Sequence, residues 1–145
     1  MPPTISTDQF RERIEAICLR GGVREWPRKP LDQHVLLKSA IFGLEPHREY
    51  SEAEINERLA PWCDDVARNM YVDHAVLRRY LVDAGYLIRD AAGAGYRLNE
   101  EKTDPQFDPA VATIDPAVVL QDARRRNEER KRKYLAQQEQ ADDGT

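Results

Sequence analysis

One stretch limits the folds open to this chain more than any other. Residues 73–98 run a capped helix, a glycine stop and two short strands together without a break. Asp73 stands where an N-cap belongs, and Leu77, Tyr80, Leu81 and Ala84 recur at helical spacing to give one apolar face. Gly85 stops this helix, because glycine takes the left-handed cap at little cost. Tyr86-Leu87-Ile88-Arg89 and Tyr96-Arg97-Leu98 then read as strands around the flexible turn Asp90-Ala91-Ala92-Gly93-Ala94-Gly95. A helix feeding so directly into a hairpin predicts the closing half of a small α+β unit.

The opening half lies upstream. Trp26-Pro27-Arg28-Lys29-Pro30 is an arm held extended by its prolines. A helix is expected over about 31–44, with Leu37, Ala40, Ile41 and Leu44 as its stripe. After a turn at Glu45-Pro46-His47-Arg48-Glu49, Ser51 and Glu54 have capping-box spacing and Tyr50 can staple onto Ile55. Ile55, Leu59 and Trp62 form the buried stripe of that helix, and Pro61 is expected to limit it. Residues 63–72 read as either a loop or a short extra helical turn. The expected fold is therefore α+β, mainly α: a winged helix-turn-helix core of three helices plus a β-hairpin over residues 26–99.

Extra helices flank that core. Residues 1–25 hold a helix over about 7–20, with Ser6 and Gln9 at capping-box spacing and Phe10, Ile14, Ile17 and Cys18 as its stripe. Gly21-Gly22 ends it. Residues 100–114 carry Asp104-Pro105 and Asp108-Pro109 and read as a turn-rich linker. Asp115-Pro116 then starts a long charged helix within 115–140, reaching about 138, and 141–145 read as a disordered tail.

Three blocks of the core resemble a known family. Trp26-Pro27-Arg28-Lys29, then Tyr50-Ser51-Glu52-Ala53-Glu54-Ile55-Asn56, then the continuous run from Asp73 through His74-Ala75-Val76-Leu77-Arg78-Arg79 to Gly85-Tyr86-Leu87-Ile88-Arg89 look like the bacterial domain of unknown function 2087 family. Gly95-Tyr96-Arg97 resembles its closing strand. The resemblance implies a winged-helix-like module, sometimes attached to transcription-regulator domains. This chain departs from the pattern in carrying extra residues at 63–72, where a DNA-reading helix-turn-helix prefers a turn of about three or four.

On the helix over 73–84, Ala75, Arg79 and Val82 lie opposite the apolar face, with Arg78 and Asp83 on its flanks. As a recognition helix it would send Arg79 to a guanine edge and Arg78 to a phosphate, with Ala75 allowing close approach. Arg89 and Arg97 in the wing, and Arg28 and Lys29 in the arm, would add backbone contacts. The bland alternative is a solvated face with an Arg79–Asp83 pair at i, i+4. Phe10, Ile14, Ile17, Val118, Val119 and Leu120 are apolar faces that must dock within the monomer or across a dimer.

Net charge over the 145 residues is −4, so no global field draws the chain to nucleic acid. The distribution is uneven: residues 122–135 hold seven basic and three acidic side chains, a local +4 that leaves −8 elsewhere. Catalysis finds no foothold. His34, His47 and His74 form no helix pair of the HExxH kind, and Cys63 lacks a CxxC partner for zinc. Cys18 and Cys63 read as small buried hydrophobes rather than a bridge. No cofactor, metal site or membrane span is expected, and the start Met1-Pro2-Pro3-Thr4 lacks secretory features, which predicts a cytoplasmic protein. The function expected is a non-enzymatic, transcription-regulator-like DNA-binding module, working as a homodimer. The alternative is a protein-interaction or assembly module whose terminal helices make the contacts and which binds no DNA.

Overall fold

The structure, a computed structural model, describes residues 4–19, 25–68, 70–92 and 95–143. In chain order they form α1 (Thr7–Cys18), α2 (Pro30–Ala40), β1 (Tyr50–Ser51), α3 (Glu52–Asp65), α4 (His74–Asp83), β2 (Leu87–Arg89), β3 (Gly95–Leu98), a 3-10 helix (Pro109–Thr113) and α5 (Pro116–Asp143). The architecture is α+β and mainly α, with a winged-helix-like layout. The expected glycine stop at Gly21-Gly22 and the turn residues Gly93-Ala94 lie outside the described residues, as do 144–145.

Local signals place most helix starts. Ser6 accepts a bond from the Gln9 amide at 3.1 Å, and Asp73 caps α4 by accepting from the Val76 amide at 2.8 Å. The capping box of α3 is complete, with Ser51 Oγ accepting from the Glu54 amide and Glu54 accepting from the Ser51 amide. Asp115 accepts from the Ala117 amide at 3.0 Å, as an N-cap with proline at N1 should. Gly85 sits at φ 84°. Around it the Gly85 and Tyr86 amides return to the carbonyls of Val82 and Leu81, closing α4 in a Schellman turn.

Two expectations give way to packing. Pro61 does not limit α3, which runs on to Asp65 with the proline ring facing solvent. What carries the helix past it is Trp62, 7% exposed, whose indole donates to the buried Ser39 hydroxyl at 2.9 Å. That burial outweighs the roughly 3 kcal/mol that an interior proline costs. Residues 63–65 are thus helix, and the connection after them buries Val66, Ala67, Met70 and Val72 while Tyr71 stays 83% exposed.

The second correction concerns the sheet. Tyr50 and Ser51 are not only a staple and a cap, since they form β1, antiparallel to β3 with Tyr50 opposite Tyr96 and Ser51 opposite Gly95. The sheet order is β1-β3-β2, and Gly95 belongs to β3 rather than to the turn. Tyr50 is fully buried, and its hydroxyl accepts from the Glu45 amide at 2.8 Å.

One core joins all the helices. Phe10 and Ile14 of α1, Val35 and Leu36 of α2, Ile55 and Leu59 of α3, Leu77 and Leu81 of α4 and Leu120 of α5 are all 0% exposed within it. Residues expected as a linker are packed. The Ile5 amide donates to the Gln106 carbonyl, the Asp108 amide to the Ile5 carbonyl, and Val111 and Ile114 are buried. The flanking helices find their partners inside the chain. α1 packs on α2 and α5, pinned by a bidentate pair in which Arg13 grips Asp32 at 2.7 and 2.8 Å. Phe10, Ile14, Ile17 and Leu120 are therefore consumed within the monomer and offer no surface to a second copy. Val119 is partly buried against the core, and Val118 remains 48% exposed. α5 also runs beyond the expected end, so residues 141–143 are helix rather than tail.

Candidate nucleic-acid interface

α4 turns Leu77 and Leu81 into the core and is braced at its edge by Tyr80, whose ring stacks on Trp26 at 4.9 Å between centroids. Its opposite face is open: Ala75, Arg79 and Asp83 are exposed. Beside that face the hairpin rises, and the two enclose a shallow cleft of about 280 Å³ lined by Ala75, Arg78, Arg79, Val82, Asp83, Arg89 and Tyr96. Three arginines therefore stand against one aspartate in the cleft.

Their situations differ. Arg78 does not reach outward for a phosphate. Its side chain is only 17% exposed and pairs with Glu52 at 3.1 Å. The guanidinium also donates to Asn56 Oδ1 and lies over the Tyr96 ring, 5.3 Å from the centroid. It fastens α4 to the start of α3 and to β3, and those partners already use its charge and planar face. Arg79 and Arg89 make no ion pair among the described residues, and the i, i+4 pair of Arg79 with Asp83 is not formed.

Strand register divides the wing. Arg89 is opposite Tyr96 and Arg97 is opposite Ile88. Side chains alternate along a strand and paired residues share a face, so Arg89 and Tyr96 face α4 while Arg97 faces away. Arg97 instead borders a second hollow with Glu49, Ile88 and Asp90, which Arg89 and Tyr96 also line. The arm lies elsewhere again. Arg28 and Lys29 line a groove with Arg13, Ala16, Ile17 and Asp32, and Arg28 approaches Glu25 at 3.8 Å in the open. The structure thus gathers Ala75, Arg78, Arg79 and Arg89, and leaves Arg97, Arg28 and Lys29 outside the cleft. Tyr96 is the cleft residue that sequence reasoning missed, because only the strand register brings its ring under Arg78.

Both cysteines and two of the three histidines are buried or partnered, while His74 borders a separate open hollow with Cys63, Asp64 and Tyr71. Cys18 and Cys63 are free and buried. Burial pushes their thiols up, to about 12 for Cys18 and about 11 for Cys63, so neither supplies thiolate near neutral pH. His34 Nδ1 lies 2.8 Å from the Tyr86 hydroxyl, and burial, with Lys102 nearby, lowers its pKa. His47 faces Glu100 at 3.1 Å on the surface. Among the described residues no cluster of three His, Cys, Asp or Glu could hold a metal, and no helix is long and apolar enough to cross a membrane.

The family described as "Uncharacterized protein conserved in bacteria (DUF2087)" matches residues 22–98, a little over half of the chain. The match runs from the arm before α2 to the end of β3, and so takes in the cleft but neither α1 nor α5. No curated protein and no solved structure matches the chain.

Proposed function

The chain belongs to the DUF2087 family, and we propose that its shared core is a non-catalytic, transcription-regulator-like module that binds duplex DNA through α4. The observation that carries this reading is the cleft. In it Arg79 and Arg89 lie on one side of the molecule without an ion pair among the described residues, and small Ala75 of α4 allows close approach. In the major groove Arg79 would donate two bonds to guanine O6 and N7, and Arg89 would reach a flanking phosphate from the wing. Arg78 is a positioning residue: by tying α4 to Glu52, Asn56 and Tyr96 it holds the angle at which Arg79 is presented. In this reading the protein works in the cytoplasm, without a cofactor.

Titrating a labelled mixed-sequence duplex at rising salt tests the proposal. Binding should weaken steeply with salt, and Arg79→Ala should cost more than Lys29→Ala. Folded protein with no duplex binding at low salt would overturn it. A second reading, assembly through the terminal helices, is supported by exposed Tyr134 and Leu135 on α5, at 61% and 60%. It expects Tyr134→Ser with Leu135→Ser to lower the solution mass in ultracentrifugation.

A further inference from the structure

α5 changes character along its length. As far as Arg126 it is anchored: Leu120 is 0% and Ala123 3% exposed, and Arg126 reaches Glu15 of α1 at 2.7 Å. Beyond that point every described side chain is exposed. At a rise of about 1.5 Å per residue, this half of the helix extends roughly 25 Å past its last anchor. Good helix formers sustain it locally, and Glu128 and Glu129 stand four residues before Arg132 and Lys133, the favourable order for a helix.

Residues 124–133 of α5 hold seven basic and two acidic side chains, the most basic segment of an otherwise acidic chain. Its outer end, Arg130-Lys131-Arg132-Lys133, lies on the projecting half, and Glu139, Asp142 and Asp143 follow beyond it. None of Arg130, Lys131, Arg132 and Lys133 makes an ion pair among the described residues. At 100° per residue, Arg126, Arg130 and Lys133 share one face, Arg125 and Arg132 a second, and Arg124 and Lys131 a third. Glu128 and Glu129 fall between these faces, and Arg125 is paired with Asp122 and Arg126 with Glu15. The outward cations without an ion pair among the described residues are therefore Arg124 and the four at 130–133. A second copy packed in parallel and in register is a poor occupant of residues 124–133, because like charges would meet, and Tyr134 with Leu135 makes no a/d seam. A polyanion meets the opposite balance.

We propose that the basic segment of α5, acting through Arg130, Lys131, Arg132 and Lys133, is a sequence-independent arm that binds the phosphate backbone of duplex nucleic acid, separate from the α4 cleft. Each phosphate it neutralises releases counterions, so its signature is the salt dependence of binding rather than base preference.

The test uses the full-length chain and a labelled mixed-sequence duplex. A variant with Arg130, Lys131, Arg132 and Lys133 all changed to Gln alters exposed side chains alone, and circular dichroism checks that it keeps its fold. The slope of log affinity against log salt should fall by about 3 to 4, with a loss of at least tenfold at about 50 mM salt that is equal for all sequences. Glu128→Lys with Glu129→Lys should strengthen binding. An unchanged slope in the Gln variant, or a change in its solution mass in place of its salt slope, would overturn the proposal. Arg79→Ala in parallel separates the two surfaces. If the α4 reading alone fails, Arg79→Ala binds as the parent does and the Gln variant does not. If the arm alone fails, the reverse holds.

Discussion

The two sides of the molecule spend the same residue type differently. α2 stands between them, packed against α1 on one side and α4 on the other. On the α1–α5 side two arginines are fasteners: Arg13 holds Asp32, which is 6% exposed, and Arg126 holds Glu15. On the α4 side Arg78 is a fastener too, but Arg79 and Arg89 have no anionic partner among the described residues. The paired arginines of the α1–α5 side serve stability; only past Arg126, on the projecting part of α5, does that side leave a run of cations in the open. A side that leaves cations in the open, on a helix already stabilised by its apolar face, keeps them for something outside the chain.

The comparison can be broken by a series of substitutions of falling cost to stability, which ends on α4. The largest loss belongs to Leu120→Ala, which opens a cavity where α5 joins the core and should cost about 3 kcal/mol in denaturant unfolding. Asp32→Ala comes next, at about 2 kcal/mol. It strands Arg13 without its partner, but the Arg13 side chain is 28% exposed and water softens the penalty. Equal stability of Asp32→Ala and the parent would mean that the pair does not hold α1. Arg126→Ala removes a bond between two partly exposed groups and should cost below about 1 kcal/mol.

The pH effect at the seam is smaller than the Asp32→Ala loss. His34 lies between α2 and the start of β2, and its pKa is lowered in the folded state, chiefly by burial and then by Lys102, with Asp104 opposing. Below the ordinary value of 6.5 the unfolded chain therefore binds the extra proton first, so stability falls as pH drops through that region. His34→Asn should remove this component, seen as a shallower acid limb in melting temperature against pH. A limb unchanged by the substitution would contradict the assignment. Smallest in stability is Arg79→Ala, within about 0.5 kcal/mol of the parent, although it should be the most damaging of these to duplex binding.

What could be read from the chain beforehand follows the range of the physics. N-caps act over three residues, so Ser51 with Glu54, Asp73 and Asp115 announced their helices. The apolar stripes of α1 and α4 announced which faces would be buried. β1 escaped notice because a two-residue strand is defined only by its partner, Gly95 and Tyr96. Pro61 misled because Trp62 is rewarded by Ser39, on another helix. The cleft was half legible. Helical geometry put Arg79 and Ala75 outside, but Arg78 is fixed by Glu52, Asn56 and Tyr96, and no local rule links those positions. The arm and Arg97 were assigned to the same surface by charge alone, and the fold sends them elsewhere.

The most direct test of α4 as a reading helix is selection from a randomised duplex pool with the parent, Arg79→Ala and Lys29→Ala. The parent should enrich a defined site. Arg79→Ala should lose preference at the guanine position it contacts, while Lys29→Ala keeps the same site. An identical enriched site for Arg79→Ala and the parent, or no enrichment by the folded parent at low salt, would contradict a role for α4 in sequence recognition.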